Sequence, residues 1–150
     1  SMRSELDPSG VSLQVKGDLS GVAYFDEVKM QRVVINIARN AKQAMVQAIT
    51  SASMSRAPQF TWSVEREGSA EAPTLTFTLT DNGPGIPEVI RGRVFEAFTT
   101  SGKAEGTGLG LAIVKQLIED HEGRIELTTR TGEGTSFRLT LPQPPLESTT

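Results

Sequence analysis

The sequence predicts a two-layer α/β sandwich, in which helices pack on one face of a mixed, mostly antiparallel sheet. Three observations carry that reading. Apolar residues recur at three-and-four spacing from residue 26 to about 49, and again over 109–121, as on amphipathic helices. Apolar and polar residues alternate through 60–64, 75–79, 125–129 and 137–141, as on half-buried strands. These strands come in adjacent pairs joined by short polar or glycine turns, which suits antiparallel neighbours.

In chain order, residues 11–15 alternate as a first strand, and 21–25 read as a second short one after the turn region between Gly17 and Gly21. Asp26 stands where a helix N-cap belongs, and the helix it opens turns Met30, Val33, Val34, Ile37, Ala41, Ala44, Met45 and Ala48 toward a sheet. Residues 51–58 form a polar loop of low information. The strands around Trp62 and Phe77 follow, with Trp62 a core residue rather than a ligand stack. After Asp81 comes a glycine turn, a short helix within 87–95, and a stretch at 97–107 without periodicity that suits a mobile flap. The helix over 109–121 points Ile113, Val114, Leu117 and Ile118 inward. His121, the single histidine, lies at its carboxyl end, where capping or packing is expected rather than catalysis. Two strands joined by the turn at 131–134 close the fold. Residues 1–10 read as a leading segment whose Ser1 and Met2 look like a cloning scar, 11–142 as one domain, and 143–150 as a disordered tail or linker.

Composition narrows the function. At 150 residues a single domain can bury a core without staples. With no Cys and one His, soft-ligand metal chemistry is excluded, so a divalent ion would need oxygen ligands. A net charge of -3 offers no electrostatic footprint for nucleic acid. No apolar run reaches bilayer length and no signal peptide is visible, so the expected location is the cytoplasm, including the cytoplasmic part of a membrane-anchored sensor.

The chemistry concentrates between Asp81 and Gly110. A carboxylate leaves a strand into DNGPGI, and glycines at 106, 108 and 110 open the second long helix. An acid at a strand exit can accept a hydrogen bond from an adenine amino group. Glycines let backbone N–H groups approach phosphates at a helix amino end. Asn36 and Asn40, one turn apart on the first helix, border its apolar stripe at a cost in propensity and desolvation, so something should compensate them. Neither a Walker glycine-lysine loop nor a dinucleotide glycine fingerprint is present, since Leu111 occupies the last glycine's place in the latter.

Five segments in one order, DEVKMQRVVINIARNAKQAM, DNGPGI, VFEAFTT, GTGLGLAIVKQLIEDHEGRI and GEGTSFRLTLP, resemble the asparagine, first glycine, phenylalanine and second glycine boxes and the closing Gly-x-Gly-Thr of the ATP-binding catalytic domain of sensor histidine kinases. The likeness runs from about Val11 to Pro142 and implies the Bergerat-type fold of the gyrase, chaperone, histidine kinase and mismatch-repair ATPases. It implies that Asp81 accepts from the adenine amino group with Thr135 beside it, that Gly83 and Gly85 shape the pocket wall, and that Ile86 packs near the ring. Asn40 would coordinate Mg²⁺ with Asn36 alongside. Gly106, Thr107, Gly108, Leu109 and Gly110 would face the triphosphate, and Phe95 and Phe98 would anchor the lid. The implied cofactors are ATP and Mg²⁺. The implied partner is a phosphoacceptor and dimerisation domain of the same protein, with a response regulator further on. The isolated domain would be monomeric and the full-length protein a homodimer.

Two departures stand out. Many members carry Lys three residues after the metal-binding Asn, where this chain has Gln43. Lys42 projects from a different side, which leaves Lys103 as a candidate phosphate contact. The phosphoacceptor histidine is absent from the sequence, and Glu122 separates His121 from Gly123 in what resembles the family's His-Gly. The alternatives are a nucleotide-gated conformational ATPase of the same superfamily, which generally carries Glu where Asn36 stands, and a non-catalytic binding module.

Overall fold

The computed structural model describes residues 12–16, 23–96 and 110–145, the first of these stretches by its backbone alone. The expected flap at 97–107 and Phe98, Lys103, Gly106, Thr107, Gly108 and Leu109 lie outside the described residues. The strands are β1 (Ser12–Lys16), β2 (Gln59–Gly68), β3 (Pro73–Asp81), β4 (Arg124–Arg130) and β5 (Gly134–Pro142). They form one sheet in the order β1-β2-β3-β5-β4. β1 runs parallel to β2 and the other pairs are antiparallel, as expected of a mixed, mostly antiparallel sheet.

Helices α1 (Glu27–Thr50) and α2 (Gly110–Asp120) supply the second layer, and a 3₁₀ helix spans Glu88–Arg93. Asp26 caps α1 by accepting the Lys29 N–H at 2.9 Å, which satisfies one of the unpaired amides of the first turn. The buried stripe of α1 includes Val33, Ile37, Ala41 and Met45, while Ala44 is only half-buried. With Val114 and Ile118 of α2, these residues join Phe60, Leu75, Phe77, Leu79, Phe137, Leu139 and Leu141 in one core. Trp62 packs at its border, stacked 6.3 Å from the Phe77 ring. The alternation of β3 is therefore a physical partition: leucines and phenylalanine face the helices and threonines face away.

Residues 23–25 depart from the expected short strand and form irregular backbone. The reason lies in what binds them. The Tyr24 N–H donates to Gln143 Oε1 at 2.7 Å, and the Tyr24 carbonyl accepts from Gln143 Nε2 at 3.0 Å, so one side-chain amide takes the place of a neighbouring strand. Phe25 packs edge-on to Phe77 at 5.9 Å. Gln143, the first residue of the expected tail, is itself fastened by its N–H to the Pro73 carbonyl at 2.9 Å.

His121 joins the two helices. Its Nε2 accepts the Asp26 N–H at 3.0 Å, which leaves the ring proton on Nδ1 to donate to the Leu117 carbonyl at 2.8 Å. Lys29 and Asp120 meet beside it at 3.5 Å. Glu122 then takes a left-handed conformation (φ 58°), and the Gly123 N–H returns to the Ile118 carbonyl, ending α2.

Leu139 is fully buried at the centre of this core. Leu139→Ala is expected to destabilise the chain by about 2–5 kcal/mol, measurable as a lower urea midpoint with unchanged slope.

Candidate functional site

Strand parity places the acid. Because Leu75, Phe77 and Leu79 face the helices, Asp81 at the end of β3 must face them too, and it is only 9% exposed. Its neighbours across the sheet are Phe60 on β2 and Thr135 on β5, with Thr129 of β4 beyond. An ionised carboxylate so placed loses water and requires donors. The Gly83 N–H supplies one, reaching Asp81 Oδ1 at 2.8 Å across a tight turn. That turn requires glycine: a Cβ on Gly83 would stand 2.9 Å from Asp81 Oδ1 and from Met45 Cγ. Gly85 is constrained twice, by a φ of +83° and by the Arg130 carbonyl 2.5 Å from where its Cβ would be.

Burial pushes the Asp81 carboxyl up to about 6, against the opposing pull of hydrogen bonds from the Gly83 and Thr135 backbone and of the Arg56 charge. The group is an acceptor held in a poorly solvated place with one oxygen engaged. Beside it the Thr129 and Thr135 hydroxyls lie 3.0 Å apart, and Thr129 Oγ1 accepts the Ile86 N–H at 2.9 Å, fixing the backbone of the residue expected against the ring.

The asparagines face the amino end of α2. Asn36 Nδ2 donates to the Gly110 carbonyl at 3.4 Å, and both amide atoms of Asn40 lie 3.9 Å from where a Cβ on Gly110 would stand. Asn36, Asn40 and Gly110 are thus brought together, and the contact to Gly110 is part of the compensation the helix pattern called for. Gln43 is half-buried on the same helix. Phe95 packs against Phe137, with ring centres 6.2 Å apart. Among the described residues no group of His, Cys, Asp and Glu is able to hold a metal ion, so a cation here would depend on an amide oxygen and on oxygens of a bound ligand.

Sequence reasoning passed over the residues that hold the glycine turn. Arg56, in the loop read as uninformative, donates from Nε to the Asn82 carbonyl at 2.7 Å and from Nη2 to the Gly83 and Gly132 carbonyls at 2.8 and 2.7 Å. Arg91 donates to the Ile86 carbonyl at 2.8 Å and to Thr131 Oγ1 at 2.9 Å. The Asn82 side chain bridges the Gln59 N–H and the Ala57 carbonyl. Met54 of the same loop is buried. A lone Arg in a polar loop carries no periodic signal that could have found it.

Known proteins share sequence and fold with this chain. The model of the family described as histidine kinase-, DNA gyrase B-, and HSP90-like ATPase matches residues 25–145. The chain is 32% identical over 130 residues to the C4-dicarboxylate transport sensor protein DctS of Rhodobacter capsulatus, covering 87% of this chain and 18% of that protein. It is 41% identical over 111 residues to the sensor histidine kinase AruS of Pseudomonas aeruginosa, covering 66% of this chain and 11% of that protein. The chain therefore spans less than a fifth of these relatives' lengths. Among solved structures it resembles full-length ShkA in complex with AMPPNP, with a TM-score of 0.76 and 23% identity over 98% of this chain and 28% of that one.

The raised Asp81 carboxyl sets a pH dependence. The fold favours its neutral form, so the stability it contributes is complete below the unfolded value of 3.8 and is lost as pH rises through about 6. The loss is on the order of 3 kcal/mol. Glu67, held low chiefly by Arg138, and Asp120, held low chiefly by Gln116, act in the opposite sense, and both persist in an Asp81→Asn variant. Urea midpoints of the chain alone between pH 4 and 7 should fall more steeply for wild type than for Asp81→Asn. Parallel profiles would contradict the assigned environment.

Proposed function

The chain belongs to the histidine kinase-, DNA gyrase B- and HSP90-like ATPase family, and we propose that it is the catalytic domain of a sensor histidine kinase, binding ATP with Mg²⁺ and passing the γ-phosphate to a histidine on a separate domain. The observation that carries this reading is Asp81: a buried carboxylate at a strand end, closely approached by a glycine turn whose Gly83 has no space for a Cβ. One of its oxygens accepts from Gly83, and a carboxylate keeps further lone pairs for the adenine amino group. Thr135 adds a hydroxyl to the same wall, and Gly83, Gly85 and Ile86 shape it. The structural relative bound to AMPPNP supports the same class of ligand.

The neutral amide of Asn40 suits a hard cation, and Asn40 would hold Mg²⁺, which neutralises phosphate charge when bound. Gly110 begins α2, whose unpaired N–H groups and positive dipole end favour an anion there. Gly106, Thr107, Gly108 and Leu109 precede that end in sequence and would extend the phosphate contact, with Lys103 and Phe98 in the lid. The chain's contribution to transfer is then to hold the triphosphate in line and to stabilise charge spread over the moving phosphoryl group.

Asn36 separates kinase from conformational ATPase. Its amide donates to the Gly110 carbonyl, a bond an ionised carboxylate could not form, and an amide is no general base near neutral pH. The acceptor would be a neutral imidazole from a phosphoacceptor helix pair, which makes that domain the partner and a response regulator the next recipient.

Mg-ADP titration should show Asp81→Asn binding at least about tenfold more weakly than wild type, because a buried contact is left mismatched by about 1–3 kcal/mol. With Mg-ATP, the chain alone should turn over very slowly, whereas adding a cognate histidine-bearing domain in trans should yield an acid-labile phosphoprotein. Sustained ATPase activity of the chain alone, abolished by Asn40→Ala, would favour the conformational ATPase.

A further inference from the structure

The turn that carries Gly83 cannot satisfy its own carbonyls. The oxygens of Asn82 and Gly83 point out of the turn, and the Gly132 oxygen of the β4–β5 hairpin points toward the same spot. One guanidinium meets all three, with Nε on the first and the two hydrogens of Nη2 on the others. These are charge-assisted bonds of 2.7–2.8 Å in a planar fork. The Gly132 N–H also donates to the Pro84 carbonyl at 2.9 Å, so the glycine turn and the hairpin are joined directly beside the Arg56 contact as well.

We propose that Arg56 is a positioning residue for nucleotide recognition: its guanidinium clamps the 82–83 turn to the hairpin at Gly132, so that the Gly83 N–H holds the Asp81 carboxylate in the orientation that receives the base. Arg56 touches no ligand in this scheme. It acts through backbone, and Arg91 restrains the far end of the same turn through the Ile86 carbonyl. The positive charge of Arg56 also favours the ionised form of Asp81, opposing the burial that disfavours it. The inference rests on the reading of Asp81 as the adenine acceptor.

The test is calorimetric titration with Mg-ADP of wild type, Arg56→Ala, Arg56→Lys and Asp81→Asn, together with amide hydrogen exchange without nucleotide. Arg56→Ala should bind about tenfold more weakly, and its Gly83 amide should exchange faster while that of Leu139 in the core of β5 stays protected. Local loosening is thereby separated from loss of folded protein. Arg56→Lys keeps the charge but not the fork and should fall between the two. Wild-type affinity in Arg56→Ala, or in Arg56→Lys where the alanine variant does not fold, overturns the proposal. Undiminished affinity in Asp81→Asn would instead overturn the adenine reading. The clamp is then judged on Gly83 exchange alone, where acceleration in Arg56→Ala supports it and no change overturns it.

Discussion

A carboxylate buried at the end of a strand imposes most of what surrounds it. Removing a charged group from water costs several kcal/mol unless donors replace the lost hydration. Phe60, across the sheet, offers no donor, and the hydrogen bond that reaches Asp81 Oδ1 comes from nearby backbone, the Gly83 N–H. Bringing the Gly83 N–H within 2.8 Å forces a tight turn with no room for a Cβ. A turn that tight directs its carbonyls outward, where they need donors of their own. Arg56 and Arg91 meet that need, the Asn82 side chain ties the turn to the Gln59 N–H and the Ala57 carbonyl, and through them a loop and a hairpin distant in sequence become part of the wall.

The remaining electrostatics are of a different kind. Lys115–Glu119 and Arg124–Glu126 are solvent-exposed pairs, which contribute about 0–1 kcal/mol each. Stability comes instead from the single core between sheet and helices, in which Val33, Leu75, Val114, Ile118 and Leu139 are fully buried. The division has a functional sense. The apolar layer keeps the strand ends rigid, and polar contacts with the greatest consequence for ligand recognition gather at one end of β3, β4 and β5, where Asp81, Thr135 and Thr129 form a row.

Much of this was legible in the sequence because it rests on periodicity. Alternation through β3 announces both the strand and the face on which Asp81 falls, and three-and-four spacing announces α1 and its buried side. Gly83 and Gly85 mark a turn by composition, whereas the role of Thr135 came only from the family likeness. Alternation does not name a strand's partner, so the parallel pairing of β1 with β2 was not visible, and at residues 23–25 the expected strand is irregular backbone. There Phe25 packs on Phe77 from irregular backbone. Arg56, Arg91 and Met54 were illegible for one reason. Each acts through a contact with segments that only the folded chain brings near, and a single residue in a loop has no period to betray it.

The two helices are spliced at two points, Asn36 to Gly110 at one end and His121 to Asp26 at the other. Asn36 lies ten positions after Asp26, and α2 has 11 residues, so at roughly 1.5 Å per residue the two spans are similar, about 15 and 16.5 Å. The pair behaves as a gauge in which each helix measures the other. Inserting or deleting one residue in α2 would rotate one contact by about 100° relative to the other, and a whole extra turn would restore the angle while displacing the contact by roughly 5 Å. Length in this stretch is therefore held more tightly than identity, and relatives that share the splice should tolerate substitutions along α2 far more readily than gaps.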